Sequence, residues 1–144
     1  MLKFLSVDYE KALELLLCCE QTYKQWEDNG QFMIPADYSL VALIKACAIS
    51  ELEWFGFVIE NKDSLIIAFR GTKSDLDWLA DLKVEQEIFP YVMGGGSVHK
   101  GFLSIYQSCR EMLLEIIKEK TPAKKIFVTG HSLGGSLATL LGYE

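Results

Sequence analysis

Lys125-Ile126-Phe127-Val128-Thr129-Gly130-His131-Ser132-Leu133-Gly134-Gly135 is the stretch whose reading decides the fold. Lys125–Thr129 is a short apolar run of strand length. It leads directly into a serine framed by glycines two residues away on each side, and a new helix opens at about Leu133. A serine on so tight a turn projects its Oγ above the sheet only if the side chains at the framing positions are removed. Either one would collide with the turn or with the neighbouring strand, and Gly130 and Gly134 remove both. Gly135, Ser136 and Ala138 keep the following helix small on one face, so that it can approach the sheet closely. The helix N-terminus places the Leu133 N–H beside the serine Oγ.

Working outward, residues 101–119 form the clearest helix. Phe102, Ile105, Tyr106, Cys109, Met112, Leu113, Ile116 and Ile117 recur at three and four, the stripe of a helix packed on a sheet. Thr121-Pro122 stops it. The late order of helix, strand, tight turn and helix is a βαβ-type pattern, which predicts a parallel sheet with right-handed crossovers. Residues 53–60 and 64–70 read as two strands joined through Asn61-Lys62-Asp63 as a hairpin. Residues 8–26 read as a helix with Leu13, Leu16 and Leu17 on one face, ended by Asn29-Gly30. Pro35-Ala36-Asp37 is expected to start a second helix carrying Leu40, Val41, Leu43 and Ile44. A short helix is expected over 74–82, and 83–98 is expected to be irregular, with Pro90 and Gly94-Gly95-Gly96 marking loop.

The chain has 144 residues, half of them apolar, and a net charge of −6. That length makes one domain. No Lys/Arg cluster stands out, which argues against nucleic-acid binding, because phosphate contacts need a basic footprint. The N-terminal run is broken by Lys3 and Asp8, unlike a signal peptide. No stretch approaches the ~18 apolar residues of a membrane span. Cys18, Cys19, Cys47 and Cys109 show no CxxC spacing and no histidine partners, so they read as reduced, mostly buried thiols in a cytoplasmic protein with no metal site.

Gly130-x-Ser132-x-Gly134 after a strand and before a helix has the form of a nucleophile elbow. His131, adjacent to the serine, should point elsewhere and is read as structural or pocket-lining. A second motif, Ala68-Phe69-Arg70-Gly71-Thr72, ends a strand. Together with Gly130–Gly135 it resembles the class 3 (fungal-type) lipases of the α/β-hydrolase superfamily, over roughly residues 50–144. The resemblance implies a partial α/β-hydrolase fold with a mostly parallel sheet: a helical N-terminal cap over 1–49 and a core over 50–144 holding the oxyanion strand, the lid and the elbow. It implies that Ser132 is the nucleophile and that the N–H groups of Thr72 and Leu133 form the oxyanion hole. It further implies that Asp75, Leu76, Trp78 and Leu79 belong to a lid helix able to dock on a lipid aggregate. Arg70 would brace the oxyanion loop through ion pairs, and His99, in Val98-His99-x-Gly101-Phe102, would be structural. The substrate would be a lipid or another ester, hydrolysed without metal or organic cofactor. Phospholipase A1 and feruloyl esterase activities occur in the same family.

In α/β-hydrolases the triad runs Ser…Asp/Glu…His in chain order, so both partners of Ser132 are expected after Glu144, and these 144 residues alone are expected to be nearly inactive. Three readings follow: a piece of a longer enzyme, a chain completed by a partner chain, or a truncated and inactive product. A lipase-like lipid-binding or regulatory module without hydrolysis is the alternative function. The strand at 125–129 is expected to stand at a bare apolar sheet edge.

Overall fold

The computed structural model describes residues 7–48, 51–72 and 85–144. Helix α1 (Tyr9–Glu27) is followed by strands β1 (Ser39–Cys47), β2 (Leu52–Glu60) and β3 (Ser64–Phe69). The short strands β4 (Gln86–Ile88) and β5 (Ser97–His99) come next, then helix α2 (Lys100–Lys120), strand β6 (Lys125–Gly130) and helix α3 (Leu133–Tyr143).

The main sheet has the order β1-β2-β3-β6. It is mixed and, among the described residues, mostly antiparallel rather than mostly parallel as expected: β1–β2 and β2–β3 are antiparallel, and β3–β6 is parallel in the register Ser64↔Lys125 to Phe69↔Gly130. The predicted hairpin explains the antiparallel part. Asn61 Oδ1 accepts from the N–H groups of Asp63 (3.0 Å) and Ser64 (2.8 Å), an Asx-type turn that sends β3 back along β2. The helical crossover α2 explains the parallel pair. Among the described residues β6 stands at the sheet edge, as its sequence suggested.

β3 is buried along its whole length, which requires cover on both faces. Alternate side chains go to opposite sides. Leu65, Ile67 and Phe69 join the core under α2 and α3 with Leu103, Tyr106, Leu113 and Leu137. Ile66 and Ala68 face the α1 side with Cys18, Phe57 and Ile59. The result is a helix–sheet–helix sandwich. The far end of α3 is tied to α2 at Glu144, which accepts from Tyr106 Oη (2.7 Å) and Arg110 Nε (2.9 Å).

Two expectations about single elements are corrected. Residues 39–47 are a strand, so 1–49 is not a purely helical cap, and Pro35–Tyr38 is a turn closed by Tyr38 N–H to Pro35 O (2.9 Å). Leu40, Val41, Leu43 and Ile44 satisfy helical spacing, but so short an apolar run fits a strand equally well. Pairing with β2 decides it, burying Ile44 and Ala46 and exposing Lys45 between them. Within 83–98, Gln86–Ile88 and Ser97–His99 pair as a two-stranded ribbon around the glycine loop; three residues per strand carry no readable periodicity. In α1, the leucine stripe faces away from the sheet, with Leu13 57%, Leu16 62% and Leu17 51% exposed, while Cys18, Cys19, Thr22 and Gln25 are buried. The helix approaches the sheet through its small residues, which admit close contact where leucine would not.

All four cysteines are free; three are buried and Cys47 is half-buried. Burial pushes the Cys18 thiol up to about 11 and the Cys109 thiol to about 12. Reaction with a thiol reagent at pH 8 is therefore expected to be limited to Cys47 until denaturant is added, as a timed absorbance assay would show.

Candidate active site

The parallel register brings Phe69 beside Gly130, so the chain leaves β3 and β6 at the same end of the sheet. The carboxyl ends of parallel strands are where α/β folds build ligand sites. From β6 the chain turns at Ser132 with φ 56° and ψ −124°, a conformation that a residue with a side chain seldom adopts. Ser132 is the N-cap of α3, yet its side chain makes no capping bond, and the residue is exposed. The turn is held through the backbone instead: Gly134 N–H donates to His131 O (3.0 Å) and Gly135 N–H to Ser132 O (2.9 Å). Of the first three helical amides, only that of Leu133 has no backbone acceptor among the described residues.

The framing glycines sit where the sequence required them. A methyl group on Gly130 would stand 2.2 Å from both C and O of Gly134. One on Gly134 would stand 2.4 Å from Phe69 O and 2.9 Å from Arg70 C, so α3 begins directly against the end of β3. Gly71 closes the arrangement: a methyl there would meet His131 O at 2.6 Å and Ser132 Cβ at 3.2 Å. The chain at Gly71 is thereby seated against the serine turn, with Thr72 next along it.

Arg70 lies beneath this segment, 3% exposed. Its N–H donates to Phe55 O (2.8 Å), and its Nη2 lies 3.0 Å from Glu53 Oε2. The guanidinium stacks over the rings of Phe55 (4.8 Å) and Trp26 (5.2 Å). Burial lowers its pKa and Glu53 opposes that shift, but a guanidinium keeps its charge throughout. The ion pair ties the residue after β3 to β2, and Glu53 carried no signal of it in the sequence. Glu53→Gln leaves a buried cation without its counter-charge. Because Glu53 is 41% exposed, the full penalty for a broken buried pair is discounted, to about 1–2 kcal/mol. Arg70→Met removes both the charge and its desolvation and is expected to cost less. Chemical denaturation of the two variants checks the order.

His131 is held by Tyr23: its Nδ1 lies 2.9 Å from Tyr23 Oη, and the two rings meet edge-on at 5.9 Å. Tyr23 was not singled out in the sequence, and its place on α1 follows no motif. His99 caps α2, its Nδ1 accepting from Gly101 N–H (3.1 Å), with its ring 4.5 Å from that of Phe102. Ser132, Leu133, Gly130, Gly134, His131, Arg70 and the Gly71-Thr72 segment are brought together, whereas Asp75, Leu76, Trp78 and Leu79 lie outside the described residues.

A strained, uncapped serine at the junction of β6 and α3, with a backbone segment from the end of β3 against it, defines an α/β-hydrolase site. Residues 66–144 match the family described as Lipase (class 3), and the chain belongs to that family. It is 38% identical over 88 residues to a lipase of Rhizomucor miehei, covering 59% of this chain and 24% of that protein. It is 34% identical over 123 residues to phospholipase A1-II 2 of Oryza sativa subsp. indica, covering 63% and 30%. A fungal lipase–inhibitor complex, presented as a model for interfacial activation in lipases, shares the fold with a TM-score of 0.68 and 25% identity, over 95% of this chain and 56% of that one. The chain therefore spans under a third of the length of these curated relatives and just over half of that solved structure.

Proposed function

We propose that Ser132 is the nucleophile of a carboxylic-ester hydrolase acting on acylglycerols or related lipids. The observation that carries this reading is the backbone of Ser132 at φ 56°, ψ −124°, with its side chain uncapped and Gly71 packed on its Cβ. Strain of this kind costs about 1–3 kcal/mol and is retained where it serves a function. Oγ attacks the ester carbonyl, its proton passes to a base, and the alcohol leaves. Water then releases the fatty acid from the acyl-serine. The N–H groups of Leu133 and Thr72 receive the oxyanion, which is charged only in the tetrahedral state; losing one such donor raises the barrier by about 2.7–4 kcal/mol.

The two histidines of the chain are engaged elsewhere, His99 by Gly101 and His131 by Tyr23. An Asp–His pair from outside these 144 residues supplies the base. The relatives named as lipase and as phospholipase A1 support a lipid ester and leave the head group open between the two. The sequence over 74–82, with Trp78 among aspartates and leucines, supports a lid that docks on lipid aggregates. The free thiols support a cytoplasmic location.

Treatment with a fluorophosphonate followed by peptide mass mapping tests the assignment. The label is expected on Ser132. A folded, intact protein that stays unlabelled overturns the hydrolase reading in favour of a lipid-binding or regulatory module.

A further inference from the structure

The serine turn follows β6 and the Gly71-Thr72 segment follows β3, so the spacing between nucleophile and oxyanion donor depends on two separate strand ends. One side chain touches both. The Tyr23 hydroxyl lies 2.9 Å from His131 Nδ1 and packs against the backbone of Gly71. It packs so closely that a methyl on Gly71 would stand 2.2 Å from Oη. The helix that carries it is pinned on either side of Tyr23: Cys19 Sγ lies 3.2 Å from Thr129 Oγ1 on β6, and Gln25 Nε2 donates to Gly56 O on β2 (2.9 Å).

We propose that Tyr23 is a positioning residue for hydrolysis at Ser132: one hydroxyl, held by α1, sets the gap between the Thr72 amide and Ser132 Oγ. This rests on the reading of Ser132 as nucleophile. The chemistry is geometric. An oxyanion donor acts only when it lies within hydrogen-bond reach of the developing charge, and a misplacement of about 1 Å costs roughly 100-fold in rate. The hydroxyl touches no reacting atom and acts through Gly71 and His131.

Tyr23→Phe keeps the ring and its edge contact with His131 and removes only the oxygen. In the intact protein with p-nitrophenyl butyrate, kcat is expected to fall roughly 10- to 100-fold with KM within about two-fold, the signature of an interaction used in the transition state. The melting temperature is expected to stay within about 2 °C. The ¹⁵N resonances of His131, one of only two imidazoles in the chain, are expected to shift as Nδ1 loses its hydroxyl partner. Unchanged His131 resonances, or an unchanged kcat while Ser132→Ala abolishes turnover, overturn the proposal and leave the nucleophile assignment standing. A loss of kcat that tracks a lowered melting temperature and recovers on cooling also overturns it, since the role is then structural. Turnover that survives Ser132→Ala removes the nucleophile assignment and the proposal with it.

Discussion

Ser132→Ala is expected to lower ester hydrolysis by the intact protein by roughly 10⁴- to 10⁶-fold, with no loss of stability. The two effects separate because of how the serine is held. Its Oγ makes no capping bond and lies exposed, so its removal leaves no buried group unpaired. The turn is closed by the carbonyls of His131 and Ser132, which alanine retains. Both serine and alanine bear the strain of φ 56°. Ser132→Gly relieves it and is expected to be more stable than Ser132→Ala by about 1 kcal/mol while being equally inactive. Steady-state hydrolysis and thermal melts of the wild type and both variants measure this. Measurable turnover in the alanine variant places the nucleophile elsewhere. A glycine variant no more stable than the alanine one shows that the turn is not strained.

The contrast between Ser132 and Tyr23 shows what a sequence can and cannot disclose about such a site. Ser132 was legible because its chemistry demands a local arrangement: a strand before it, a helix after it, and no side chain at 130 or 134. Each of these is written within eleven consecutive residues. The Tyr23–His131 contact joins positions 108 apart, and neither residue needs particular neighbours to make it. Glu53 opposite Arg70 is the same case at a separation of 17. In the fold, β3 and β6 were readable because a buried strand is a short apolar run bounded by turn residues. β1 was not, because Leu40, Val41, Leu43 and Ile44 satisfy the helical period as well as the strand, and only the partner β2 removes the ambiguity. The exposed leucines of α1 mark the remaining limit. Periodicity finds that a helix has an apolar stripe, but closeness of approach chooses the face, and here the small residues Cys18, Cys19 and Thr22 face the sheet.

Gly130→Ala is expected to destabilise the protein by about 3 kcal/mol or more and to lower activity at least 100-fold in whatever fraction remains folded. The added methyl would lie 2.2 Å from Gly134 C and O and 2.8 Å from Gly135 N, all backbone atoms of the first turn of α3. No side chain can rotate out of the way. Relief requires α3 to lift from the end of β6, but α3 is fixed from the other side by Gly134 against Phe69 O and by the burial of Leu133, Leu137 and Leu140. The motion that accommodates the methyl therefore moves the Leu133 amide and Ser132 together, away from the Gly71-Thr72 segment. Two other glycines in the same helix separate this collision from a general effect of adding a methyl. Gly135→Ala brings the new carbon to 3.2 Å from Gly130 O, a contact that must yield slightly, and the gain in helix propensity of up to about 1 kcal/mol offsets it. Gly142→Ala meets nothing within 4 Å and is expected to stabilise by about 0.5–1 kcal/mol. The expected order of melting temperatures is thus Gly142→Ala, then Gly135→Ala, then Gly130→Ala far below. If Gly130→Ala melts with the other two, the contact between the turn and α3 is looser than described, and the small residues around Ser132 serve only to form the helix.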